Sequence, residues 1–396
     1  MKQVYIVAAK RTPIGKFGGA FKNVSPIVLG AQAMKAVLNQ AGISGSELDL
    51  YIMGNVLRSG HGQLLPRQAA FQAGIPDSVD GYAVDMVCSS AMMAAINASS
   101  LIKAGDADLI LAGGMESMSQ AGFALSHRAR WGYRYLAGKP EEVTDILERD
   151  GLSDPISHES MGGQTERLSA DLSITRDEAD KVAMQSHQRA AQATQAGVFA
   201  QEIVPIDVQS RKRVTTVRED EGIRADTTLD HLSALRPAFA DNGVLTAGNS
   251  SQLSDGAAAI LFASEAALKK YKLIPIGRLV SSTWSAGVRW RFALAPVQTV
   301  KQLLQKADFR LAQIDLIENN EAFATNSILF HRLLEIPYKK LNVHGGAIAL
   351  GHPIGCTGIR IMVTLLNALT QHQEKYGIAS LCHGTGGGTA VLLERL

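Results

Sequence analysis

A cysteine stands at position 88 in Asp85-Met86-Val87-Cys88-Ser89-Ser90, where a short apolar run meets an Ala- and Met-rich stretch of helical character. A thiol at a helix N-terminus feels the partial positive charge there, which favours the nucleophilic thiolate. The free N–H groups beside it suit a developing oxyanion. His352 lies in GGAIALGHPIGCTG (345–358), whose glycines permit backbone approaches closed to larger residues. A histidine so placed either serves as general base to a nearby thiol or merely caps a turn. Cys382 and Gly384 follow an apolar run in SLCHGTGGG, and Asn320 with Glu321 follows another in IENNEAFA. Each is a polar group at the end of a strand-like segment, and such groups need partners once buried. Taken singly, a free cysteine is more often a small buried hydrophobe than a nucleophile.

Other chemistries fit these residues less well. Cys382, His383, His352 and His344 invite a zinc site, but their spacing matches no familiar structural zinc pattern. GTGGGTA (384–390) lies too near the C-terminus to open a dinucleotide-binding βαβ unit with an acidic residue about 20 positions on. Met92 and Met93 read as core packing. The three cysteines, Cys88, Cys356 and Cys382, form neither a disulfide framework nor a CxxC pair, so free thiols are expected.

The elements that must position these groups read as α/β. VYIVAA near the N-terminus is strand-like, and Ile27 to Gly42 has helical apolar spacing through Leu29, Met34, Val37 and Leu38. Strand-like runs recur at 48–56 and 108–114, separated by the alanine-rich helix 88–104 that ends at Gly105. The segment 36–55 matches 302–321 at a constant offset of 266, pairing Leu38 with Leu304, Ala41 with Ala307, Asp49 with Asp315 and Leu50 with Leu316. This is an internal duplication of a helix–strand unit. Residues 118–248 are more polar and read as an inserted, mostly surface subdomain that covers a large ligand. The boundaries expected are 1–117 plus 249–270 for the first half, 118–248 for the insertion and 271–396 for the second half.

Over 396 residues, 39 Lys+Arg against 37 Asp+Glu give a formal charge of +2, which offers no support for a nucleic-acid or anionic-membrane surface. At 46% hydrophobic and 19% charged, the chain has ample material for cores. No run approaches the roughly 18 apolar residues of a membrane helix, and a cytoplasmic location is expected.

In order and spacing, AAKRTPIGKFGG (8–19), GNVL (54–57), the Cys88 segment, AGGMESMS (112–119), LRPAF (235–239), TAGNSSQLSDGAAA (246–259), NEAFA (320–324), GGAIALGHPIGCTG (345–358) and CHG (382–384) resemble the thiolase family along nearly the whole chain. The resemblance implies two homologous α/β halves stacked as five αβαβα layers, with a loop domain over the active site. It implies acetyl-CoA C-acetyltransferase activity: reversible Claisen exchange on coenzyme A thioesters, with acetyl-CoA, acetoacetyl-CoA and CoA as substrates and products and no separate cofactor. Cys88 would carry the acyl group, His352 would activate it, and Cys382 would move the α-proton. Asn320 (through a water) and His352 would form one oxyanion site, and the N–H groups of Cys88 and Gly384 the other. Ser251 would touch the pantetheine arm. Arg211, Lys212, Arg213, Arg218 and Arg224 could favour the CoA phosphates or be solvated loop charges; Arg213 and Arg224 are taken as CoA contacts. The family suggests a homodimer or homotetramer.

Two departures bear on the acyl pocket. Ser160-Met161-Gly162 stands where many short-chain members carry His-Met-Gly, and Val288 to Pro296 replaces a customary Met-Gly turn, which puts the pocket lining in doubt. Cys356 occupies a position often filled by Ala and reads as structural. Two alternatives remain open: a degradative 3-ketoacyl-CoA thiolase of broader chain length, and a non-catalytic acyl-CoA or lipid carrier. A carrier has no need of Cys88, Asn320, His352 and Cys382 together.

Overall fold

In the computed structural model, which describes residues 2–133, 141–209 and 213–396, the sheet grows from strands apolar on both faces. In chain order the first half runs β1 (Tyr5–Arg11), β2 (Gly15–Lys16), α1 (Pro26–Ala41), β3 (Leu50–Gly54), α2 (Leu65–Gln72), β4 (Gly81–Val84), α3 (Ser90–Ala104) and β5 (Leu109–Ser117). A long connection carries β6 (Phe123–Ala124), β7 (Thr144–Asp145), α4 (Met161–Asp171), α5 (Arg176–Gln195), β8 (Ile206–Gln209), β9 (Val214–Val217) and α6 (Leu229–Ser233), and leads to β10 (Ser254–Ala263) and α7 (Glu265–Tyr271). The rest comprises β11 (Gly277–Ala286), α8 (Ala295–Ala307), β12 (Leu316–Asn319), α9 (Ala324–Leu334), α10 (Ala347–Leu350), α11 (Thr357–Gln371), β13 (Tyr376–His383) and β14 (Gly387–Arg395).

The duplication legible at offset 266 is repeated in the pairing. β3 runs parallel to β5, β5 antiparallel to β10, and β10 antiparallel to β1. In the second half β12 is parallel to β13, β13 antiparallel to β14, and β14 antiparallel to β11. Even the register recurs: Leu50 faces Ile110, and its counterpart Leu316 faces Gly377. The halves meet edge to edge where Tyr5 and Ile6 of β1 pair with Arg278 and Gly277 of β11.

Alternation along each strand divides the layers. Ile52, Ile110, Ile260 and Phe262 of the first half, with Leu381 and Val391 of the second, face inward onto α3 and α11. The residues between them face outward, Met53, Leu111 and Leu261 onto α1 and α2, and Ile378 and Leu392 onto α8 and α9. Helix, sheet, helix, sheet, helix is the resulting stack. α3 and α11 form its middle layer, so their N-termini lie together at the centre of the molecule.

One expectation needs correction and another needs refining. The insertion is largely exposed or half-buried, but it also has a dry face: α5 buries Ala179, Val182, Ala183 and His187, and Leu168, Ile174 and Val182 join the core under the second half. Its polar composition comes from the solvent face of helices whose small-residue face is buried. The 18 residues Val87–Ala104 do reach a mean hydropathy of 1.2, long and apolar enough for a membrane span by length and composition. They are α3 and the turn before it, and a helix enclosed between two sheets is apolar all round for that reason.

Candidate active site

Cys88 sits in a tight turn between β4 and α3. Val87, a β-branched residue, is held at φ 50°, a conformation that costs on the order of 1–3 kcal/mol and persists only when its surroundings over-determine it. They do. Val87 N–H donates to Asp85 Oδ1 (3.1 Å), Met86 N–H donates to Ser90 Oγ (2.9 Å), and Ser90 Oγ donates to the Val87 carbonyl (2.6 Å). The half-buried Cys88 sulfur is hydrogen-bonded by the backbone of Gly384, from the turn between β13 and β14. Burial pushes the thiol up to about 12, the backbone bonds from Gly384 and Cys88 itself opposing this in part. Burial thus opposes the lowering expected from the helix terminus. Desolvation is the larger effect, moderated by the thiol's remaining exposure.

Close backbone approach brings the His352 loop to the same place. A Cβ on Gly114 would lie 2.2 Å from the Gly355 carbonyl oxygen, and one on Gly358 would lie 2.3 Å from Met92 N. Glycine alone lets α11 and its preceding loop seat against β5 and α3. Ile354, two residues beyond His352, packs in one small cluster with Leu57, Met118 and Cys88.

His352 is buried, and its ring is oriented at both nitrogens. Nδ1 lies 2.7 Å from Thr357 Oγ1, whose hydroxyl donates to the Pro353 carbonyl (2.9 Å). With its one proton spent on Pro353, Thr357 must accept from Nδ1–H, so this network assigns the free lone pair to Nε2. Asn320 Nδ2 lies 3.4 Å from Nε2, and Asn320 Oδ1 is buried without a partner. Burial, with the Arg360 charge adding to it, depresses His352 to about 3, so the ring is neutral at neutral pH.

Cys382, 1% exposed, ends β13. Burial and the neighbouring Cys88 push its thiol well above the ordinary range, and a hydrogen bond from Asn326 opposes them. Beside these groups opens a cavity of about 530 Å³ whose wall includes His352, Ser251, Ser160, Met161, Phe239 and Phe323. Ser160 belongs to that wall and caps α4, accepting from Gly163 N–H at 3.0 Å. Asn320, Ser251 and α9 are drawn together by backbone bonds, Ser251 N–H to Ala322 O and Ala324 N–H to Asn249 O, each 2.9 Å.

The structure brings together Cys88, Cys382 and Gly384 on one side and Asn320 with His352 on the other. Arg224 and Arg213 do not line the cavity; the Arg224 guanidinium lies 3.1 Å from His187 Nε2. Arg211 and Lys212 lie outside the described residues. The segment 288–296 is also absent from the cavity wall. Trp290 is instead sandwiched between Arg167 of α4 (4.0 Å) and Arg291 (4.7 Å), and Phe292 stacks edge-on against Phe323. This unusual turn thus braces the cover helix from outside the pocket. Among the described residues no group of three or more His, Cys, Asp or Glu is disposed to hold a metal. Sequence reasoning missed Asn326 and Thr357. The only signal was position in the first turn of a helix, Asn326 just beyond NEAFA and Thr357 near the end of GGAIALGHPIGCTG.

The family model "Thiolase, N-terminal domain" matches residues 4–266, and "Thiolase, C-terminal domain" matches residues 273–395. The chain belongs to the thiolase family. It is 60% identical, over the whole of both chains, to the acetyl-CoA acetyltransferase of Synechocystis sp., and 42% identical, again over both, to that of Escherichia coli. Among solved structures, the Bacillus anthracis acetyl-CoA acetyltransferase superposes with a TM-score of 0.96 at 39% identity, covering 100% of this chain and 99% of that one. Human mitochondrial 3-ketoacyl-CoA thiolase gives 0.95 at 37% identity, with the same coverage. This thiolase has the family's duplicated α/β architecture throughout its length.

Proposed function

We propose that this thiolase is an acetyl-CoA C-acetyltransferase that joins two acetyl-CoA into acetoacetyl-CoA and CoA through an acetyl-Cys88 intermediate. The observation that carries the reading is the pair of thiols, half-buried Cys88 and buried Cys382, beside a cavity walled by a neutral histidine whose Nε2 can accept a proton. The relatives named acetyl-CoA acetyltransferase, matching end to end, support the same reading.

In the first step Cys88 Sγ attacks the acetyl-CoA carbonyl as its proton passes to His352 Nε2. The C–S bond to CoA then breaks, and CoA leaves with that proton. In the second step Cys382, as thiolate, takes a proton from the methyl carbon of another acetyl-CoA. The resulting carbanion attacks the acetyl carbonyl on Cys88, the C–S bond to Cys88 breaks, and the Cys88 sulfur takes back the proton that Cys382 removed, which restores the Cys382 thiolate. Charge develops on two different thioester oxygens, so two oxyanion sites serve: Asn320, through a water, with His352 while its Nε2 carries a proton, and the N–H groups of Cys88 and Gly384. Ser251 contacts the pantetheine arm, and Arg224 and Arg213 act on the CoA phosphates. No cofactor beyond the coenzyme A thioesters is required. The enzyme works in the cytoplasm as a homodimer or homotetramer.

Thiolysis of 3-ketoacyl-CoA substrates of increasing chain length tests this. Turnover is expected to peak at C4, with acetyl-CoA labelling found by mass spectrometry on the Cys88 peptide and lost in Cys88→Ala. Faster turnover of long chains would assign the degradative 3-ketoacyl-CoA reaction instead. Labelling without turnover would mark a carrier.

A further inference from the structure

Asn326 is the third residue of α9 and is 1% exposed. Its side-chain orientation is fixed by what surrounds it. Phe323 N–H donates to Oδ1 at 3.0 Å, which leaves Nδ2 facing inward. One Nδ2 proton points to the Ala293 carbonyl (3.3 Å) and the other to Cys382 Sγ (3.5 Å). A flipped amide would set Nδ2 against the Phe323 N–H and Oδ1 against the Ala293 carbonyl, so the network admits one orientation.

We infer that Asn326 is the positioning residue of the second thiol: its amide fixes the Cys382 sulfur and stabilises the thiolate that removes the α-proton. Nδ2 is a neutral donor, so it favours the anion over the thiol without itself competing for the proton. One further donor helps, the backbone N–H of Cys382 itself, which is the lesser of the two; the remaining groups around Cys382 cannot do this. Cys88, ahead of α3, disfavours a second anion when ionised. The 289–294 turn presents the Ala293 carbonyl, an acceptor engaged with Asn326. His383 follows on β13 with its side chain on the opposite face, Nδ1 against the Gly384 carbonyl at 2.7 Å. The backbone of Gly384 is engaged with Cys88.

The inference rests on the acyl-transfer reading above, and its test keeps the two apart. Wild type, Asn326→Leu and Asn326→Gln are incubated with acetyl-CoA in deuterated buffers from pH 6 to 9.5. Acetylation of Cys88 is followed by mass spectrometry, and loss of the methyl protons by NMR. In Asn326→Leu, acetylation is expected within about twofold of wild type, while exchange near pH 7 falls about 10- to 100-fold, as for loss of a hydrogen bond to a charged group. The deficit should hold nearly constant across this range, because in both proteins the thiol ionises above it and the two thiolate fractions rise in parallel. Asn326→Gln keeps both a donor amide and an oxygen able to cap the helix from its third position, and exchange should recover to within several-fold. Undiminished exchange in Asn326→Leu would overturn the role. So would a parallel fall of acetylation and exchange at every pH, which marks structural damage, or a Gln variant as impaired as Leu. Failure of wild type to acetylate Cys88 would sink the acyl-transfer reading itself.

Discussion

The two reactive thiols face the same physical difficulty, since burial in a dry site disfavours the anion each needs. Cys88 is pushed up to about 12 while His352 is pulled down to about 3, so both cross away from an ion pair. The resting state is a neutral thiol beside a neutral imidazole, and the proton moves only as the carbonyl is attacked. Alkylation of free enzyme by iodoacetamide, read at the Cys88 peptide, should therefore rise about tenfold per pH unit from 7 to 9, as the thiolate fraction does below its pKa. A plateau through neutral pH would show a standing thiolate–imidazolium pair and contradict this picture.

At the scale of elements, the site depends on loops held at strand ends. Glu116, at the end of β5, accepts from Val56 N–H (3.1 Å), Leu57 N–H (3.1 Å), Asn55 Nδ2 (3.0 Å) and Gly355 N–H (3.0 Å). One carboxylate therefore ties the exit of β3 to the His352 loop of the other half. Glu116→Ala leaves these buried donors without an acceptor, at a cost of about 1–3 kcal/mol each where water does not enter. The expected result is a loss of at least about 3 kcal/mol in denaturant unfolding, against a smaller loss for Glu116→Gln, whose carbonyl still accepts. Equal stability of the Ala variant and wild type would mean that the loops are held by packing alone.

At the scale of the whole molecule, a buried cation helps fasten the insertion to the first half, beside backbone bonds such as Arg11 N–H to Glu202 O and Glu221 N–H to Ile14 O. Arg11, 0% exposed, pairs through Nε with Glu202 (2.6 Å) and through both terminal nitrogens with Asp220 (2.6 and 2.8 Å). Glu202 and Asp220 both lie in the 118–248 region, which gives the KRTPIG motif its structural meaning. Arg11→Ala strands two carboxylates in the interior, and breaking such a network costs about 3–5 kcal/mol. The variant should unfold earlier and be cleaved faster within 118–248 on limited proteolysis. Cleavage at wild-type rates with unchanged stability would show that the cover is held elsewhere.

How much of this was legible in the sequence depends on the range of the forces involved. Strands apolar on both faces, helices ending at Gly42 and Gly105, and the repeat joining Leu50 to Leu316 are local or periodic signals, and they carried the α/β halves and the duplication. The site motifs were visible because thiol, imidazole and glycine runs are chemically distinctive. The buried face of the insertion was hidden, because composition averages the wet and dry faces of α5. That Val87–Ala104 is apolar enough for a bilayer is itself a property of the sequence; only the fold shows that burial between two sheets explains it. The ionisation of Cys88 and the tautomer of His352 depend on desolvation and on partners brought from distant positions, such as Gly384 and Asn320. The bond from Asn326 to Cys382 spans 56 residues of sequence, and neither neighbour announces the other. Residue type and spacing determined which groups could react; only the folded chain decided which of them are dry, which are paired, and therefore which state of each proton the reaction starts from.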